Sequence, residues 1–313
     1  MVPRTTFMAA LLAVTGMAAA ADIENQPAQM MPLASKSLLL DVANAGSRFV
    51  AVGERGHILA SVDGHQWAQA NVPTRATLTA VTFADAEHGW AVGHDAVILA
   101  TEDGGQNWTL QNFEPDLEKP FLDVMFLSPT RGFAIGAYSL FYETIDGGES
   151  WTEHDTPARD DEWHFNAIER LNNGTLVIVG ESGTVAVSRD DGETWESVPS
   201  PYAGSYFDAV AHGENGVLIF GLRGNAYRSD STDEIAWTKV NTGTGQTLSG
   251  GTVLPSGETV IVGLNGTVLQ SNDGGRSLER LPNRVGASLN SVLVNNGRLV
   301  AVGDRGTHII ELR

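Results

Sequence analysis

Seven times along the chain an apolar run ends in glycine, at Gly53, Gly93, Gly136, Gly180, Gly221, Gly263 and Gly303. The intervals are 40, 43, 44, 41, 42 and 40 residues. A period of roughly 40–45 residues is that of a four-stranded propeller blade. No such unit buries both its faces alone, so the copies must stack on one another.

A second marker follows the first. Ser188–Trp195 reads Ser-Arg-Asp-Asp-Gly-Glu-Thr-Trp. Its acidic side chain can accept hydrogen bonds from its own turn, its glycine admits positive φ, and its tryptophan anchors the next strand. Related corners carry Asp63 with Trp67, Asp103 with Trp108, and Asp146 with Trp151. The corner at Asp273 has Leu278 in place of the aromatic, and the one from Ser229 to Trp237 is stretched and lacks glycine. Between the markers lie short β runs bounded by Gly and Asp, which predicts an all-β chain. The fold class expected is a seven-bladed β-propeller of four-stranded antiparallel blades. In each blade the first strand is expected to end near Val42, Val81, Val124, Ile168, Val210, Thr252 or Val292.

The seventh unit stops after three strands. Gln29–Pro32 resembles the blade-closing segments Ala70–Pro73 and Glu196–Pro199. The N-terminal strand is therefore expected to close the last blade, which removes exposed sheet edges.

Residues 1–21 read as a signal peptide, with Arg4, an apolar run from Phe7 to Met17 and small residues before the cut. That run is too short to span a bilayer as an anchor. Residues 22–313 then form one exported domain, placed in a bacterial periplasm and read as a monomer. The chain has no Cys, which excludes disulfides, thiolate metal sites, Cys nucleophiles and lipid attachment at an N-terminal Cys. With 38 acidic and 19 basic residues the net charge is −19. Such a surface disfavours nucleic acid and anionic headgroups as partners.

In a propeller the turns between second and third strands share one face with the blade-to-blade connections. The Asp corners share the other face with the first hairpin loops. The corner carboxylates, including Asp191 and Asp230, read as turn clamps. The tip face is irregular and is the candidate protein interface, with Arg55, His94, Tyr138, Trp163, Arg223 and Arg305. Arg with exposed aromatics is the composition of interface hot spots. Asp41, Asp123, Asn166, Asp208 and Asn290 fall on the strands that line the channel, where they could satisfy waters or an ion. The eight His show no metal-ligand spacing, and no nucleophile elbow or phosphate loop is present. No cofactor and no metal are expected.

The corners resemble the Asp-box, the bacterial neuraminidase repeat. Residues 29–313 as a whole resemble photosystem II stability/assembly-factor-like propellers. The resemblance implies a non-enzymatic, exported propeller that binds a membrane-protein client and assists its assembly or stability. In photosynthetic members the client is a photosystem II reaction-centre precursor docked on an Arg-rich face. Here Asp155, Asp160, Asp161 and Glu162 accompany the Arg tips, and relatives in non-photosynthetic bacteria point to an envelope transporter of the resistance-nodulation-division type. The alternatives are a sialidase-like glycoside hydrolase, which shares the Asp-box but needs paired catalytic groups, and a carbohydrate-binding propeller using Trp163, Tyr202 and Tyr206.

Overall fold

The computed structural model describes residues 26–155, 162–295 and 297–312. The expected signal segment lies outside them, as do Asp160 and Asp161. The described chain folds into seven antiparallel sheets in sequence order, six with four strands and the last with three. Blade 1 holds Leu39–Ala45, Arg48–Gly53, Ile58–Ser61 and Ala68–Gln69. Blades 2 to 6 begin with Leu78–Phe83, Phe121–Phe126, Phe165–Arg170, Tyr206–His212 and Leu248–Val253. Blade 7 holds Leu289–Asn295, Arg298–Gly303 and Gly306–Glu311. The first strands run one to three residues past their expected ends. The first hairpin stays paired down to its loop, so polar residues such as Asn44, Arg170 and His212 remain in the ladder.

The glycine that set the period has a steric cause. A Cβ on Gly53 would lie 2.2 Å from the Leu38 carbonyl oxygen, and one on Gly180 would lie 2.1 Å from that of His164. Gly93, Gly136, Gly221, Gly263 and Gly303 meet Thr77, Pro120, Ser205, Thr247 and Ser288 in the same way. In every blade the second strand therefore ends where the chain entering the first strand crosses it. Only a residue without a side chain fits there.

The core lies between the sheets. Phe133 and Phe141 of blade 3 pack with Phe165, Ile178 and Trp195 of blade 4, and each blade repeats this with its own apolar set. Blade 7 joins blade 1 through Val300 and Val302 against Leu39, Val42, Phe49 and Leu59.

The ring closes differently from the sequence expectation. Among the described residues Gln29–Pro32 makes no backbone bond to Gly306–Glu311, and blade 7 has three strands. The leader instead crosses to the rim of blade 1. The Ala28 amide donates to the Val72 carbonyl at 2.9 Å, Gln69 bonds both Met31 N and Gln29 O, and Arg75 Nε donates to Pro27 O. The side chains of Gln69 and Arg75 capture the leader before it reaches the last blade's edge. The segment Ala34–Lys36 still seats on blade 7, where the Ser35 carbonyl fills the space beside Gly306.

Candidate functional site

The corner clamps form as the residue types require. Asp190 Oδ1 accepts the Thr194 amide at 2.9 Å and the Ser188 hydroxyl at 2.8 Å. Ser188 in turn accepts the amide of Gly192, whose φ is +90°. Asp146 and Asp273 repeat the pattern with Ser150 and Ser277, and Asp103 and Asp63 with their own turns. Hydrogen bonds from Ser150 and Thr194 hold the carboxyls of Asp146 and Asp190 down to about 2. These carboxylates are spent on structure. Trp67 and Trp108 donate to Gly64 and Gly105 of their own corners, while Trp195 is buried against Phe141. Trp151 packs edge-on to Phe126.

Two corner assignments change. Asp230 makes no turn clamp, because Ser229 is held by Ser231 and Ala236 while Asp230 pairs with the buried Arg228. Arg228 also donates to the Gly274 carbonyl of blade 6 at 3.2 Å, so the degenerate corner is held by a guanidinium. Asp191 faces Arg170 at 3.8 Å and clamps nothing.

The channel residues bind neighbouring blades. Each first strand carries a one-residue slip in its ladder, as between Leu39 and Asp41, which turns two successive side chains toward the axis. Asp41 Oδ2 accepts the Val81 amide of blade 2 at 2.9 Å. Asp123 does the same to Ile168 of blade 4, and Asp208 to Gly251 of blade 6, both at 2.8 Å. The intervening seams use a side-chain donor one position earlier. Thr79 donates to the Phe121 carbonyl, Asn166 to that of Tyr206 and Asn290 to that of Leu39. At the remaining seam, between blades 6 and 7, Gly250 lies flush on the Asn290 carbonyl. Sequence reasoning located Asp41, Asp123, Asn166, Asp208 and Asn290 but assigned them to water or an ion, and it missed Thr79. Among the described residues no group of carboxylates and imidazoles has the geometry to hold a metal. The three aspartates stand between a narrow half of the channel on the tip side and a cavity of about 430 Å³ toward the corners, which Glu169 also lines. Burial raises Asp41, Asp123 and Glu169, and pushes Asp208 up to about 7.

On the tip face six turns follow one plan, and their central residues Arg55, Asp95, Tyr138, Ser182, Arg223 and Asn265 all have φ between 53° and 60°. Such left-handed residues project outward from the turn, and Arg55 and Arg223 are exposed, as are His94 and Arg305. The structure sorts the six candidates into two groups and two outliers. Arg55 and Arg305 flank the segment Ser35–Ser37: Gly306 abuts Ser35, and Ser37 bonds His57, two residues past Arg55. Lys36 stands between them and was missed because the leader's path could not be read from its composition. Tyr138 and Trp163 form the second group. Ser139 donates twice to the Trp163 carbonyl, and the Tyr138 ring meets His164 edge-on at 4.8 Å with Lys119 Nζ 5.9 Å from its centroid. His94 and Arg223 stand alone on blades 2 and 5. The proposed sugar platform does not assemble. Tyr206 is fully buried with its hydroxyl on Ser200, and Tyr202 stacks on Tyr227.

Comparison with known proteins places this geometry. The family model described as photosynthesis system II assembly factor YCF48 matches residues 59–116 and 110–247. Photosystem II assembly protein Ycf48 of Thermosynechococcus vestitus is 31% identical over 214 residues, 68% of this chain and 61% of that protein. The chain thus matches less than two thirds of that relative's length. Photosystem II assembly lipoprotein Ycf48 of a Synechococcus strain is 28% identical over 68% of this chain and 64% of its own. Among solved structures, YCF48 bound to D1 peptide superposes with a TM-score of 0.72 at 18% identity, over 92% of this chain and 96% of that one. YCF48 from Cyanidioschyzon merolae gives 0.72 at 19%, over 90% and 97%. At such identities the superpositions speak for the fold alone. The sequence match carries the rest, and by it the chain belongs to the Ycf48 family of photosystem II assembly-factor propellers.

Proposed function

We propose that the chain is an exported, non-enzymatic assembly factor whose tip face receives an exposed segment of a membrane-protein client. The observation that carries this is the charge on that face. In a chain of net charge −19, the exposed Arg55 and Arg305 lie on either side of the exposed Lys36, and among the described residues none of the three has a carboxylate partner. Unpaired guanidinium groups on a fixed turn are ready for a carboxylate or backbone carbonyl of a partner at little reorganisation cost. The solved relative holding a D1 peptide, and the assembly-factor names of the sequence relatives, support a membrane-protein client. Export through residues 1–21 to the periplasm agrees with relatives named lipoproteins. Arg55→Glu with Arg305→Glu is expected to abolish co-purification of the client from detergent-solubilised membranes while leaving the melting temperature unchanged. Retained co-purification by the folded double variant would overturn the docking face. Mass spectrometry of the captured chain names the client: a photosystem subunit or, in a non-photosynthetic host, an envelope transporter of the resistance-nodulation-division type.

A further inference from the structure

We infer that the rim of the tip face at the junction of blades 7, 1 and 2 docks on the headgroups of an anionic lipid bilayer. Two observations meet there. The first is apolar exposure in the leader: Leu33 is 72% exposed and Met30 59%, with Met31 beside them. They lie within four consecutive positions, and the leader's hydrogen bonds to Gln69, Val72 and Arg75 hold them on the surface rather than in a core. The second is a cluster of exposed cations around that leader, with the half-buried Glu54, whose carboxylate accepts the Leu38 amide, and the exposed Asp304 as the neighbouring acids. Arg75 grips Pro27, and its Cα lies 3.3 Å from where a Cβ on Gly56 would stand, which puts Arg55 next along the rim. Lys36 follows, its Cα 2.7 Å from the corresponding position on Gly306, next to Arg305. All four cations are exposed, and among the described residues none is in an ion pair.

Exposed Leu and Met in a row, framed by unpaired Lys and Arg, have the composition of an interfacial anchor: the apolar side chains enter the acyl boundary and the cations meet lipid phosphates. The overall negative charge does not prevent this, since exposed charges farther than about 8 Å are largely screened at physiological salt. The described residues contain no helix long and apolar enough to cross a membrane. It would set the tip face toward the membrane that holds a client, but it is measured with lipid alone and stands or falls separately from the client.

The test is flotation of the full chain with vesicles of phosphatidylglycerol and phosphatidylethanolamine, against vesicles of phosphatidylcholine. Binding to the anionic vesicles only, weakened by salt, is expected. Lys36→Glu with Arg75→Glu, and separately Met30→Asp with Leu33→Asp, are each expected to weaken it about tenfold or more. These side chains are exposed, and an unchanged melting temperature confirms that the ring is intact. Equal binding to both vesicle types overturns the proposal, as does no binding to either. Binding that survives both double variants also overturns it, because attachment then lies elsewhere, as in residues 1–21.

Discussion

The carboxylate of Asp208 accepts the amide hydrogen of Gly251 at 2.8 Å, from a strand 43 positions further along the chain. The bond crosses the seam between blades 5 and 6 inside the channel. It favours the ionised carboxylate, yet burial outweighs it and raises the group to about 7.

A pH dependence follows from that shift. A carboxyl whose folded pKa is about 7 and whose unfolded pKa is about 4 keeps its proton in the native ring after the unfolded chain has lost it. Stability is therefore intact below about pH 4 and declines as pH rises through about 7, by at most about 4 kcal/mol for this one group. Asp41, Asp123 and Glu169 are shifted in the same direction. The corner carboxyls of Asp146 and Asp190, held at about 2, act oppositely, and their contribution is lost as pH falls below about 4. The melting temperature should peak near pH 4–5 and fall toward pH 8. Asp208→Asn should flatten the fall, and a variant that declines as steeply as the parent would show that Asp208 ionises freely.

The blade-end glycines should be intolerant of any side chain. Gly180→Ala sets a methyl 2.1 Å from the His164 carbonyl and is expected to cost about 3 kcal/mol or more. Gly174→Ala is the matched control. Nothing lies within 4 Å of its Cβ position and only its φ of +88° is strained, so about 1 kcal/mol is expected. Chemical denaturation of both variants measures the difference, and equal costs would mean that backbone conformation, not the crossing, selects these glycines.

Ser188 is the buried half of the corner clamp. Ser188→Ala strands the amide of Gly192, a buried donor, and should cost about 1–3 kcal/mol by urea unfolding. A loss below a few tenths would leave the clamp no energetic role.

The corner tryptophans should not be equal. Trp195 is 6% exposed and meets Phe141 at 5.6 Å, whereas Trp151 is only partly buried. Trp195→Ala is expected to cost about 3–5 kcal/mol and Trp151→Ala less. Matching melting temperatures would contradict the core assigned to Trp195.

Blade count and face assignment were legible because their causes are local or recur in every copy. The Gly53 class repeats a collision between a strand and the chain entering the same blade, and the Asp190 class repeats bonds within one turn. Where the corner had lost its glycine, the reading failed, although the Asp273 corner keeps its clamp without the aromatic. Asp230 sits at a clamp position, but its partner Arg228 turns toward Gly274 of the next blade, a pairing that no single repeat contains.

The sequence by itself determined the number of sheets, their strand order and the side of the ring on which each turn emerges, since a strict period leaves one way to stack the units. Only the tertiary structure decided which side chains cross the seams and where the leader runs. Asp41 meets Val81 because closing the ring brings strands forty positions apart within hydrogen-bonding distance, and Gln69 captures Met31 because the leader runs along the rim of blade 1. Those contacts depend on inter-blade geometry, which local propensity does not encode. For the same reason Lys36 stands between Arg55 and Arg305 in space although no motif joins them.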